Sequence, residues 1–303
     1  MTERLSPNRW AHDISKVLDT VLGKDRFPVN VEDIVREISQ QIYPDDPISF
    51  VKGDNLPGFD GALVPAPAGK KGWGIVYNTS IASTGRINFT LAHEFGHYLV
   101  HRLDYPAGIT CSQEDMVHWD SKYRQVEQQA NQFAAGLLMP LGDFRCQIAP
   151  KARPTLDDIG DCANRYRVSL IAATLRWLQY TERRSVLVVS RDGYILWGRS
   201  SEPAFKTGLF FKTTDRPPVP VPDVALPMNK NALSGSKGSI SHPSGVWFNE
   251  PCEEITIFSD QYDFAISLIH LDNAGGCNDY AEEEGEDTFD RMMRRTPGSP
   301  WLE

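Results

Sequence analysis

The stretch Arg86-Ile87-Asn88-Phe89-Thr90-Leu91-Ala92-His93-Glu94-Phe95-Gly96-His97-Tyr98-Leu99-Val100 decides the fold of this chain. Its apolar residues recur with the 3.6-residue period of an α-helix, which predicts a core helix over 86–100. Within it, His93-Glu94-Phe95-Gly96-His97 is an H-E-x-x-H motif. At 3.6 residues per turn, imidazoles four positions apart point the same way and can hold one metal ion. Glu94 lies about 100° round the helix, beside the metal position, where a carboxylate can take a proton from an activated water. Seven His and 16 Glu in 303 residues make the chance of one such motif in a shuffled chain about 0.01.

A catalytic zinc takes three protein ligands and leaves a fourth position open, so a third ligand is expected. The candidates are His12, His101, His118, His242 and His270, with the nearby carboxylates Asp104, Glu114, Asp115, Asp120 and Glu127. The next helical stretch, Tyr123–Leu138, is stopped by Pro140. With Val126 as zero, Ala130, Phe133, Ala134 and Leu137 fall within roughly −20° to 80°, and Glu127 falls at about 100°, on the edge of the apolar face. A carboxylate facing a core is costly unless paired or metal-bound. Glu127 is therefore either the third ligand or half of an ion pair. Asn131 lies within about 40° of Glu127, where its amide can accept the outward N–H of a ligand imidazole. Gly96 has no side chain and lets the second helix come close. His101 extends the stripe by one turn as a flanking polar residue. His118, beside Trp119 in the loop between the helices, is a candidate for contacting substrate or an oxyanion.

Outward from these two helices, residues 8–22 place Ile14, Leu18, Val21 and Leu22 at helical spacing, and a second helix begins at Val31 after Asn30 as N-cap. Ile48–Val51, Phe59–Leu63 and Gly74–Tyr77 read as a small sheet. Residues 155–181 read as a helical pair, capped by Thr155 and Ser169. From 184 the pattern is β: Ser185–Val189, a turn at Arg191-Asp192-Gly193, Tyr194–Trp197, Ile255–Phe258 and Phe264–Leu271. Pro217–Pro222 and Asn229–Ser244 are loop-like by composition. Ala281–Glu303 is a charged tail. The expected division is 1–152, then a helical link 153–183, a β module 184–278 and the tail 279–303, in the α+β class.

The composition, 41% hydrophobic and 23% charged, is that of a globular protein. A net charge of −9 opposes direct binding to nucleic acid or anionic membranes. No stretch of 18 apolar residues predicts a membrane span. Five scattered cysteines with no C-x-x-C pair fit buried thiols in a reducing cytoplasm. The helical pair can alternatively be read as a DNA-binding helix-turn-helix with Arg165, Arg167 and Arg176, a reading the acidic balance opposes.

The segments Arg86–His97 and Glu127–Pro140, which reads Glu-Gln-Gln-Ala-Asn-Gln-Phe-Ala-Ala-Gly-Leu-Leu-Met-Pro, resemble the ImmA/IrrE-type metallopeptidases. The resemblance spans about residues 8–180 and fades beyond 184. It implies a zincin-like helical peptidase core with a small sheet. It further implies zinc held by His93, His97 and Glu127, with Glu94 as the catalytic carboxylate; Mn²⁺ and Fe²⁺ also suit such donors. Characterised members are bacterial or phage-borne and cleave helix-turn-helix repressors, releasing stress or mobile-element genes. Gln129 departs from the acidic residue that many relatives carry before Ala-Asn. The implied partner is a protein, a DNA-binding repressor. The competing reading is a regulatory protein-binding module with a structural or vestigial metal site.

Overall fold

The computed structural model describes residues 5–67, 69–111, 121–212, 218–228, 237–259 and 263–272. Among them are eight α-helices and two sheets, a mixed α+β chain with a helical core followed by a β module. The described residues form two compact units, one within 5–143 with 163–169, the other of 144–162 and residues within 170–272.

In the first unit, α1 (Pro7–Leu22) starts at Ser6, whose side chain accepts from the Arg9 N–H, and has Pro at its first position. It buries Ala11, Ile14 and Leu18, whereas Val21 and Leu22 are exposed because the helix ends there at Gly23. Helix α2 (Val31–Ile42) is capped by Asn30, as its sequence predicts. Strands β1 (Ile48–Asp54), β2 (Gly61–Pro65), β3 (Trp73–Asn78) and β4 (Ile109–Cys111) form a sheet in the order β1-β3-β2-β4. β1 and β3 are parallel, while β2 is antiparallel to both β3 and β4. β4 is too short to show a period of two, so the sequence reads it as loop. The sheet supports α3 (Thr84–Val100), which packs along α4 (Ser121–Leu138), and α4 is backed by α1. The apolar face expected on α4 is the buried one: Val126, Ala130, Phe133, Ala134 and Leu137 are all core.

Two short helices follow, α5 (Leu141–Gln147) and α6 (Leu156–Tyr166), before α7 (Leu170–Leu178). Thr155 caps α6 reciprocally: its hydroxyl accepts from the Asp158 N–H at 3.2 Å, and the Asp158 carboxylate accepts from the Thr155 N–H at 2.7 Å. Arg165, at the end of α6, is held by the Asp143 carboxylate at 3.1 Å.

The second unit is built on a six-stranded antiparallel sheet of β5 (Ser185–Arg191), β6 (Tyr194–Ser200), β7 (Val219–Pro220), β8 (Lys237–His242), β9 (Cys252–Ser259) and β10 (Phe264–Leu271), in the order β7-β6-β5-β10-β9-β8. A short helix, α8 (Glu202–Lys206), follows β6. The β5–β6 turn places Asp192 and Gly193 at φ of 50° and 78°, the left-handed pair a two-residue hairpin needs. Central strands β5 and β10 are buried on both faces. Val186, Val188, Ile269 and Leu271 join Ile195, Leu209 and Trp247 on one side. On the other, the Trp177 ring of α7 stands edge-on to His270.

β8 and β7 correct the sequence reading, which leaves both in loops. β8 is an edge strand with a single apolar residue, Ile240, and that residue is exposed. What holds it is the backbone ladder to β9 and a buried polar contact, His242 Nε2 to Glu254 at 2.8 Å. Neither leaves a hydrophobic pattern to read. Among the described cysteines, Cys162 and Cys252 are buried as expected, but Cys146 on α5 is exposed. The tail 279–303 lies outside the described residues. Among the described residues no helix is long and apolar enough to cross a membrane.

Candidate metal centre

Helix α3 begins at Ser83, whose side chain accepts from the Arg86 N–H, and presents His93, Glu94 and His97 to the interior. Its close approach to α4 depends on Gly96. A Cβ there would lie 3.1 Å from Phe133 Cδ1 and 3.2 Å from the Ala130 Cα and carbonyl oxygen. The ring of Phe95 meets Phe133 edge-on at 5.6 Å. These contacts bring the α4 carboxylate to the α3 imidazoles.

His93 Nε2 and His97 Nε2 lie 2.9 Å apart, and the two carboxylate oxygens of Glu127 lie 3.2 Å from one ring and 3.2 Å from the other. All three residues are buried, and one donor atom from each falls within 4.8 Å of the others, close enough to hold a metal ion. Asn131 Oδ1 accepts from His93 Nδ1 at 2.9 Å, which leaves the Nε2 lone pair of the neutral ring aimed at the cluster. Two imidazole nitrogens and a carboxylate converging on one point are a donor set that fits a divalent ion of borderline softness.

The electrostatics agree. Burial lowers the pKa of His93, but the hydrogen bond and charge of Glu127, with the charge of Glu94, outweigh it and raise the net value. Burial dominates at His97, whose pKa is pushed down to about 4. Burial opposes ionisation of Glu127, yet its bonds to both histidines hold the carboxyl far below the usual range. The cluster is therefore an ionised carboxylate beside two bases, one of them neutral at any pH near 7.

Glu94 is completely buried, next to the ligand cluster on α3. The β2 backbone passes over its carboxylate at Gly61, where a Cβ would come within 3.0 Å of Glu94 Oε1 and 2.5 Å of Thr90 Cγ2. A side chain at 61 would displace the carboxylate, so this strand helps to fix it in place.

Residues 54–178 match the peptidase family described as the IrrE N-terminal-like domain. That segment belongs to the ImmA/IrrE-type metallopeptidase family. Among curated proteins none matches the chain. The IrrE-like segment begins later than the resemblance implied, so α1 and α2 lie outside it, and it ends at the end of α7. It contains His93, Glu94, His97, Glu127 and Asn131, which the fold brings together. His118 lies outside the described residues.

Sequence reasoning understated two residues. His101 is buried, with Nδ1 3.1 Å from His97 Nδ1 and Nε2 2.8 Å from Gln129 Oε1. The i, i+4 continuation from His97 was the available signal for His101. For Gln129 the signal was its place in the family segment and not its helix face, because it sits about 200° round α4 from Glu127 and still meets His101 Nε2 at 2.8 Å.

Proposed function

We propose that this protein is a zinc-dependent endopeptidase whose substrate is another protein, and that the substrate is a helix-turn-helix repressor. The observation that carries the reading is the convergence of His93, His97 and Glu127 on one point with the carboxylate of Glu94 buried beside them. His93, His97 and Glu127 would hold the ion. Zinc at such a site supplies Lewis acidity, which acidifies water and polarises the scissile carbonyl.

The rest of the chemistry falls to the chain. Glu94 takes the proton of the attacking water, and the resulting oxygen nucleophile adds to the carbonyl carbon. Glu94 then returns that proton to the departing amine nitrogen as the C–N bond breaks, and ends the cycle ionised. The close passage of β2 at Gly61 holds the carboxylate in place for both transfers. The net charge of −9 supports a basic, DNA-binding substrate through long-range attraction. The scattered cysteines support a cytoplasmic setting, and family resemblance supports a bacterial or phage role in releasing stress or mobile-element genes.

The test is incubation with a helix-turn-helix repressor from the same genome, with and without a chelator, followed by mass analysis of fragments. Cleavage that the chelator stops and that Glu94→Gln abolishes while zinc stays bound is the expected result. Undiminished cleavage by Glu94→Gln refutes the assignment of Glu94. A wild-type protein with no zinc affinity refutes the metal centre and favours a protein-binding module.

A further inference from the structure

We propose that Gln129 and His101 form a two-link positioning chain that sets the ring tautomer of His97 and so aims its Nε2 lone pair at the metal position. This rests on the metal-centre reading above, which it extends to two residues outside the donor cluster of His93, His97 and Glu127.

Donor and acceptor chemistry fixes each proton along the chain. An amide oxygen only accepts, so Gln129 Oε1, 2.8 Å from His101 Nε2, requires the hydrogen of that ring on Nε2. A neutral imidazole has one N–H, so His101 Nδ1 is then an acceptor. It lies 3.1 Å from His97 Nδ1, which must donate to it. The remaining nitrogen of His97, Nε2, is left with a lone pair, and it faces His93 Nε2 at 2.9 Å and Glu127 at 3.2 Å. The opposite tautomer would point an N–H at the place a cation must occupy. Each link follows from the one before, and no proton is gained or lost along the chain.

The two ligand imidazoles are thus oriented by different means. His93 is set by one amide, Asn131 Oδ1, in a single link. His97 is completely buried and reaches its amide through His101, itself 4% exposed, so water has little access to the link between the two rings. Orienting partners of this kind are worth about 10- to 100-fold in metal affinity. The departure at position 129 keeps what the chain requires. A carboxylate there would be an obligate acceptor, and glutamine preserves the acceptor oxygen without the charge.

The experiment uses two readouts on the full chain. Long-range ¹H–¹⁵N correlation spectra of the histidines in metal-free protein report tautomers directly, and competition with a chromophoric chelator reports zinc affinity. Wild type is expected to show His97 as the Nδ1–H tautomer. Gln129→Leu, close in volume but without an acceptor, should lose that tautomer preference and bind zinc about 10- to 100-fold more weakly. His101→Phe should weaken zinc by a similar factor. Because the links act in series, the double variant should lose no more than either single one. Gln129→Glu, which keeps the acceptor, should restore both the tautomer and affinity close to wild type. The His93 signal, governed by Asn131, should stay unchanged in Gln129→Leu, which separates loss of the chain from loss of folding. A wild-type His97 protonated on Nε2, or a Gln129→Leu protein that keeps both tautomer and affinity, overturns the proposal. If wild type binds no zinc the metal-centre reading fails, and the metal-free spectra still decide the hydrogen-bond chain.

Discussion

Replacing Gly96 by alanine adds one methyl group at the closest point of the α3–α4 contact, and two opposed effects can be weighed. In a helix interior, alanine is favoured over glycine by about 1 kcal/mol. Against that, the new Cβ would stand 3.1 Å from Phe133 Cδ1 and 3.2 Å from two backbone atoms of Ala130. The Phe133 ring is fully buried against Phe95, and the Ala130 atoms are helix backbone, so neither can simply swing away. Overpacking of this kind costs about 1–3 kcal/mol, and the expected net result is a loss of about 1 kcal/mol. The effect on the metal should be larger than the effect on stability. Relief requires α4 to back away by a few tenths of an ångström, and Glu127 moves with it. Metal–ligand distances tolerate only about 0.2 Å, so zinc affinity should fall by an order of magnitude or more. Denaturant unfolding of the metal-free protein and chelator competition measure the two quantities separately. Gly160→Ala in α6 is the control, because its Cβ meets nothing within 4 Å and it should stabilise by up to about 1 kcal/mol. If Gly96→Ala stabilises as much as Gly160→Ala and leaves zinc affinity unchanged, the close-packing argument for the site is wrong.

Three further outcomes are expected. At zinc about 1,000 times its dissociation constant, wild type should gain about 4 kcal/mol of stability, whereas Glu127→Gln, which keeps the shape but loses the charge, should gain almost none; an equal gain would remove Glu127 from the ligand set. Gly85→Ala should destabilise by about 1–3 kcal/mol, since its Cβ would meet the Val168 backbone at 2.7–2.8 Å; a neutral result in thermal unfolding would contradict that approach. Burial lowers the His270 pKa to about 4, with the Arg153 charge adding to it and the Pro154 carbonyl opposing. The unfolded chain, with His near 6.5, binds more protons between those values, so stability is full above about pH 6.5 and declines as pH falls. The loss is about 2 kcal/mol between pH 7 and pH 5. His270→Gln should flatten that part of the curve, and an unchanged slope would show that His270 does not carry it.

The legible parts of this protein are those written in local periodicity. H-E-x-x-H on a helix, an apolar face on α4 with Glu127 at its edge, Asn131 within reach of an imidazole, caps at Asn30 and Thr155, and the Asp192-Gly193 hairpin are all relations between residues a few positions apart. Helical and strand geometry convert such spacings into directions without reference to the rest of the chain. β4, β7 and β8 were illegible because each is an edge or short strand whose formation is decided by a partner's backbone. The outward exposure of Val21 and Leu22 was illegible for a related reason: helical spacing gives a face, and only the neighbouring elements say how far along the helix that face is covered.

The amino-acid sequence by itself determined the chemistry available at the centre: which donors exist, and which of them share a helix face. Only the tertiary structure decided their convergence. The 2.9 Å between the two Nε2 atoms, the strand laid over Glu94, and the path from Gln129 through His101 to His97 depend on how closely α3, α4 and β2 pack. Packing distance is set by side-chain volume at the contacts, above all the missing one at Gly96, summed over elements distant in the chain.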